Sequence, residues 1–189
     1  NYYVALEEIT RVLDPLPDEH VFGLSLVLAR DRTLFVADTA VHELPKAEQL
    51  ADFAIQAASV AQRMGHEPRV ALLSFSNFGN PMLERSQLTR DAVLLLNERQ
   101  VSFEYDGEMG VDVALNSELL DLYPFCRLSA PANVLIMPGL HSSQIATNLL
   151  HELGGGTVIG PMLQGLSKPA QIVPMGATVS DIVNMAALT

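Results

Sequence analysis

Residues 70–81, VALLSFSNFGNP, decide the fold. Val70-Ala71-Leu72-Leu73 is a short unbroken apolar run, the pattern of a strand buried on both faces. It passes at once into small hydroxyls, an amide, a glycine and a proline, and helical spacing then covers Leu88–Leu96, with Ala92, Leu95 and Leu96 on one face. The same alternation continues downstream. Strands are predicted at Val101–Tyr105, Asn133–Met137 and Val158-Ile159, with a further candidate at Gln171-Ile172-Val173. Between them fall a short helix opening at Asn116-Ser117 and a longer one over Ser142–Leu153, with Ile145, Leu149 and Leu153 inward and Gly154-Gly155-Gly156 closing it. A last helix opens at the capping box Thr178-Val179-Ser180-Asp181.

Upstream, Tyr2, Ala5, Leu6, Ile9, Val12 and Leu13 sit at helical spacing until Asp14-Pro15-Leu16-Pro17-Asp18 stops the helix. Val21–Leu28 and Thr33–Ala37, joined across the polar break Arg30-Asp31-Arg32, read as an antiparallel hairpin. Lys46–Met64 is helical, with Leu50, Phe53, Ala54, Ala57, Ala58 and Ala61 together and Gly65 in the C′ position. Strands alternating with helices predict one domain over residues 1–189, a three-layer α/β/α fold with a mixed, mostly parallel sheet. Ligands of such sheets lie at the carboxyl ends of the strands, so the loops after Leu73, Tyr105, Met137 and Ile159 are the ones to read for chemistry.

Composition narrows the functions. The 189 residues are 49% apolar and 17% charged, which suits a packed core, and no apolar run approaches the ~18 residues of a membrane span. A net charge of −11 argues against nucleic acid, and any phosphorylated ligand would need a local cluster of N–H groups or arginines. One cysteine, Cys126, permits no internal disulfide and fits a reducing, cytoplasmic setting; flanked by Arg127 alone among basic residues, it reads as a structural thiol. Asn1 in place of a methionine, and a helix starting so near Thr189, lead us to expect a piece of a longer polypeptide.

Three loops carry candidate groups. Ser74, Ser76, Asn77 and Gly79 would offer hydroxyls and backbone N–H groups to a phosphate, or form an ordinary strand-to-helix loop. Asp106, Glu108 and Asp112 would bind a metal or exchange protons, or else serve as turn and helix-start residues; without a nearby His or Cys, no metal site is expected. Pro138-Gly139-Leu140-His141-Ser142-Ser143-Gln144 places a histidine at a helix start, a proton carrier or a surface residue.

Taken together, four blocks resemble the phosphate acetyl/butyryltransferase family, the phosphotransacetylases: VALLSFSNFGNP at 70–81, DGEMGVDVALN at 106–116, ANVLIMPGL at 132–140 and IGPMLQGLSKPAQIVPMGATVSDI at 159–182. The likeness runs from about Phe22 to Thr189 and omits the family's N-terminal half. The stretches HEPRVALLSFSNFG, YPFCRLSAPANVLIMPGLHSS and SDIVNMAAL are similar to the phosphotransacetylase-like C-terminal domain of large bacterial NADP-dependent malic enzymes. The resemblance implies an isocitrate/isopropylmalate dehydrogenase-like fold, self-association into at least a dimer, and acetyl-CoA as ligand or effector. NADP and a divalent metal would be needed only by a malic enzyme domain that this chain does not contain.

The departures from that pattern are chemical. Active family members carry a serine–arginine pair after the lysine–proline dipeptide, and an aspartate further on. Here the pair is replaced by Pro174 and Met175, the aspartate is kept as Asp181, and Asn148 stands where a lysine is frequent. Proline donates no hydrogen bond and methionine carries no charge. Losing one donor to a developing oxyanion typically costs ~2.7–4 kcal/mol in the transition state, so little acyl transfer is expected. The reading is therefore a non-catalytic, acetyl-CoA-sensing regulatory and oligomerisation domain of a malic enzyme, the alternative being an active phosphate acyltransferase in which Asp181 is catalytic. Its ligand would lie among Ser74, Ser76, Asn77, Gly79, Pro138, His141, Ser142, Gln144, Met175, Gly176 and Asp181, with no metal, no nucleic acid and no membrane.

Overall fold

The computed structural model describes residues 2–29, 32–154 and 156–188. Six strands form one sheet: β1 (Phe22–Ala29), β2 (Arg32–Ala37), β3 (Arg69–Leu73), β4 (Glu104–Met109), β5 (Val134–Ile136) and β6 (Thr157–Gln164), in the spatial order β4-β3-β5-β2-β1-β6. The pairs β4–β3, β3–β5 and β5–β2 are parallel, while β1 is antiparallel to both β2 and β6. Only β1 therefore runs against the common direction, and the sheet is mixed and mostly parallel. Helices cover it: α1 (Tyr2–Val12), α2 (Ala47–Arg63), α3 (Glu84–Glu98), α4 (Val111–Leu115), α5 (Ser117–Leu120), α6 (Leu140–Glu152) and α7 (Val179–Ala187).

The period of two in the strands builds both cores. Phe22, Leu24, Leu26, Phe35, Ala37, Val70, Leu72, Val134 and Ile136 face α2 and α3 in one cluster. Val27, Leu34, Val36, Ala71, Leu73, Leu135 and Met137 point the other way, into a second cluster with Val113, Ala114 and Leu120 from α4 and α5. Burial on both faces explains why these strands read as continuous apolar runs. Helix α2 lies close to the sheet because its inner face is mostly alanine: Ala51, Ala54, Ala57, Ala58 and Ala61 are buried. Between them Phe53 reaches in and stacks on Phe22, ring centroids 5.1 Å apart.

Several expectations are corrected. β4 spans 104–109 rather than 101–105, so Asp106 and Glu108 are strand residues and not loop residues. Carboxylates are tolerated in this strand because each has donors: Asp106 accepts from the Arg127 N–H (2.8 Å) and guanidinium (3.2 Å), and Glu108 from loop 74–80. Gln171–Val173 forms no strand; the Gln171 side-chain amide pairs instead with Leu163, accepting from its N–H (2.8 Å) and donating to its carbonyl (3.4 Å). α3 begins at Glu84, and α4 has no counterpart in the predicted elements. Val12, one of the residues at helical spacing in α1, is exposed.

The inner face of α6 is also reversed. Ile145, Leu149 and Leu153 are 67%, 56% and 76% exposed, while Leu140, Ser143 and Thr147 face the interior. The two hydroxyls satisfy themselves on the helix, Ser143 donating to the Leu140 carbonyl (3.0 Å) and Thr147 to that of Ser143 (2.8 Å), so they enter the core without an unpaired polar group. Residues Arg30, Asp31 and Gly155, parts of the predicted hairpin break and helix stop, and the terminal Asn1 and Thr189, lie outside the described residues. No helix among the described residues is long and apolar enough to cross a membrane.

Phe53→Ala removes one of the largest fully buried side chains from a face whose alanine neighbours cannot close the gap, and a loss of about 3–5 kcal/mol is expected, read as a lower urea midpoint at an unchanged slope.

Candidate functional site

The strands of common direction end at one edge of the sheet, and the loops there are organised by buried carboxylates. Asp38, directly after β2 and 1% exposed, accepts from the N–H groups of Gly23 (2.8 Å), Ala40 (2.8 Å), Val41 (3.1 Å) and His42 (2.7 Å) and from His42 Nδ1 (2.8 Å). This wraps the segment 38–45 around its own first residue. A side chain at Gly23 would collide with Ala40, so the start of β1 and this loop are pressed together. The loop in turn meets the start of α6: Leu140 N–H donates to the His42 carbonyl (3.2 Å), and a Cβ at Gly139 would stand 2.6 Å from the Glu43 carbonyl.

A second wrapped loop follows β3. Ser76, fully buried, donates to Glu108 Oε1 (2.9 Å), and the Gly79 N–H donates to the same oxygen (2.6 Å). Phe78 N–H donates to the Glu108 carbonyl (2.8 Å), Ser74 N–H to that of Met109 (2.9 Å), and Asn77 Oδ1 accepts from Gly110 N–H (2.7 Å). The groups that were candidates for a phosphate cradle are therefore engaged by the protein itself.

Beside these loops runs a groove of three connected hollows. The first, about 600 Å³, is walled by Leu44, Leu73, Phe75, Val111, Met137 and Pro138, with Ser74, Ser142, His141 and Arg85. Through Glu43 and His141 it adjoins a hollow of about 830 Å³ that includes Tyr2, Tyr3, Ala40, Val41 and Ile172. Gln144, Asn148, Gly160, Pro161 and Pro174 lead on to the third, about 310 Å³, with Ser25, Thr147, His151, Asp181 and Met185. Of the residues singled out from sequence, Ser74, Pro138, His141, Ser142, Gln144 and Asp181 are brought together along this groove. Ser76, Asn77 and Gly79 instead build the Glu108 cradle. Met175 turns fully out to solvent and Gly176 stands in open space, although Pro174 beside them lines the wall.

Electrostatically the groove is nearly cation-free. Among the described residues the second and third hollows contain no arginine or lysine, and Arg85 is the one such residue of the first. His141 meets Glu43 at 3.2 Å in an exposed pair. The Gln144 amide donates to the Thr39 carbonyl, tying α6 to the Asp38 loop. Burial pushes the Tyr2 phenol upward, so it stays neutral. Asp181 is held below the ordinary carboxylate range, first by the Thr178 N–H (2.8 Å) and then by the Thr178 hydroxyl (2.8 Å). It is the reciprocal partner of the α7 cap. Cys126 is raised to about 11 by burial, unsuited to nucleophilic work at neutral pH. Among the described residues no group of three His, Cys, Asp or Glu is placed to hold a metal ion.

Residues 1–189 match the profile of a family described as phosphate acetyl/butaryl transferase. The chain belongs to that family. The match extends further toward the N-terminus than the four blocks quoted above. An NADP-dependent malic enzyme of Rhizobium meliloti is 56% identical over 188 residues, covering all of this chain and 25% of that protein. A phosphate acetyltransferase of Treponema pallidum is 39% identical over 167 residues, covering 86% of this chain and 50% of that one. The crystal structure of a phosphotransacetylase from Streptococcus pyogenes superposes on the whole chain with a TM-score of 0.93 at 26% identity, and the chain covers 59% of it. The chain thus spans a quarter of the length of the malic enzyme it matches and about half that of the acetyltransferase.

Sequence reading passed over the loop after β2, which supplies Ala40, Val41, Glu43 and Leu44 to the groove. The available signal was Asp38 itself: an aspartate set directly behind a buried strand, ahead of Thr39-Ala40, is placed to accept from the amides that follow.

Because the folded carboxyl of Asp181 titrates below its unfolded value, its contribution to α7 is present above the ordinary carboxylate range, near pH 4, and is lost as the pH falls through the folded value. Protection of the α7 amides, taken relative to their intrinsic exchange rates, should fall on that descent in the wild type, and Asp181→Asn should remove this change in protection. Thr178→Ala should cost about 1 kcal/mol of local helix stability at neutral pH.

Proposed function

We propose that this chain is the acetyl-CoA-sensing regulatory domain of an NADP-dependent malic enzyme, following the oxidoreductase part in the polypeptide, and that it does not itself transfer acyl groups. The observation that carries the reading is the end of the groove formed by Pro174, Gly160, Pro161 and Asp181, where no arginine or lysine lies among the described residues. Moving an acetyl group from a thioester to phosphate requires a cation for the phosphate dianion and a donor for the charge that develops at the carbonyl. Pro174 has no N–H or hydroxyl, Met175 points to solvent, and Asp181 would repel phosphate. Binding asks for less: an amide-rich wall of Gln144 and Asn148, apolar surface from Phe75, Leu44 and Met137, and Arg85 at the far end suit a long thioester ligand with one anionic end.

In this reading NADP and the divalent metal are held outside this chain, and acetyl-CoA acts by binding two states of the parent enzyme unequally. The exposed Ile145, Leu149 and Leu153 of α6, with Ile182 and Val183 of α7, supply an apolar face for association of at least two copies. The second reading, a working phosphate acyltransferase, rests on the family and on Asp181, whose carboxyl is held below the ordinary carboxylate range.

The test uses the full-length polypeptide. Acetyl-CoA is expected to bind by calorimetry and to change the rate of malate oxidation, with acetyl phosphate formation at least ~10³-fold below that of an active phosphotransacetylase. Restoring the family pair with Pro174→Ser and Met175→Arg should leave binding within a few-fold. Robust acetyl phosphate production by the wild type, abolished in Asp181→Asn, would establish the transferase instead.

A further inference from the structure

Loop 74–80 has the composition of an anion-binding turn, and two of its donors, the Ser76 hydroxyl and the Gly79 N–H, meet on an anion that belongs to the chain. The amides of Ser74, Ser76, Asn77, Phe78, Gly79 and Asn80 are all used within the loop or by residues 108–109. Glu108 brings a fully buried carboxylate into the middle: Oε1 accepts from the Ser76 hydroxyl and the Gly79 N–H, while Oε2 has no hydrogen-bond partner and stands 3.7 Å from Arg90 Nε on α3. Gly79 has φ +90, and a Cβ there would strike the Arg90 guanidinium, so the backbone and the cation close on the carboxylate from two sides.

A charge taken wholly out of water is kept only where donors and a counter-charge replace its hydration. Two donors on one oxygen and a guanidinium facing the other meet that requirement. We propose that Glu108 is the resident anion of a monocarboxylate-sized cradle in loop 74–80, and through that loop a positioning residue of the groove. Ser74 and Phe75 enter the groove wall immediately before Ser76, so the cradle fixes where they stand. With Glu108 cut back to its Cβ, the vacated cradle takes a free small carboxylate. The effect on the groove rests on the acetyl-CoA reading; the cradle does not.

Sodium formate is the probe, with sodium chloride at equal ionic strength as the control, on the full-length polypeptide. Glu108→Ala should show a saturable formate-dependent rise in thermal midpoint beyond any shift seen in the wild type or in chloride. Formate should also recover most of an acetyl-CoA affinity lowered about tenfold or more, the scale of losing hydrogen bonds to a charged group. Equal formate shifts in variant and wild type would overturn the cradle. A normal cradle response with unchanged acetyl-CoA affinity would overturn the positioning role alone, and a wild type that binds no acetyl-CoA would overturn the sensing reading while leaving the thermal result to decide the cradle. If Glu108→Ala does not fold at any formate concentration, Glu108→Gln decides, because it keeps the shape and loses the charge. Its Gly79 amide should exchange with solvent at least about tenfold faster than in the wild type, and unchanged exchange would refute the need for an anion.

Discussion

A carboxylate removed from water has to be surrounded by donors, and that requirement shapes the edge of this sheet where the parallel strands end. Asp38 and Glu108 are 1% and 0% exposed, and each has gathered a loop around itself. Asp38 joins the start of β1, the end of β2 and the segment that packs on α6. Glu108 joins β4 to the connection between β3 and α3. The walls of the groove hang from these two points: Ala40, Val41, Glu43 and Leu44 on one side, Ser74 and Phe75 on the other. Apolar packing gives the sheet its two cores, but the loops at its edge are placed by charge.

The central strands were legible because both their faces are buried and they are nearly pure apolar runs, and α2 because alanine and phenylalanine recur on one face over a long helix. What escaped was governed by polar contacts made far away in sequence. Asp106 and Glu108 disguised β4 as a loop, since the donors that satisfy them come from Arg127, from the Ser76 hydroxyl and from the Gly79 N–H. In α6 hydrophobicity pointed to the wrong face: Ser143 and Thr147 hide their hydroxyls on their own helix, and Ile145, Leu149 and Leu153 are left outside. The side-chain amide of Gln171 copies the backbone pairing that an apolar triplet seemed to promise.

The position of the groove was legible in outline, because the carboxyl ends of parallel strands are where an α/β sheet leaves room. Ser74, Pro138, His141, Ser142, Gln144 and Asp181 do meet along one groove. Ser76, Asn77 and Gly79 carry the same residue types for a different purpose, holding an internal carboxylate, and no local pattern separates an amide aimed at a ligand from one aimed at the chain. The loop after β2 was missed because a single aspartate among small apolar residues is an ordinary turn until its partners are seen.

The placement of β1 between β2 and β6 bears on how the molecule comes together. β2 is close to β1 in sequence and can pair with it early, whereas β6 must cross most of the chain to reach the other side of β1. Contacts that close long loops form late and, at an edge, open first. The groove straddles this boundary, with Gln144 and Asn148 on one side and Gly160, Pro161, Pro174 and Asp181 in or beyond the late strand. A ligand lying across it would cement the last unit to fold onto the rest, so occupancy would register as slower exchange of β6 amides before it registered as any change of shape.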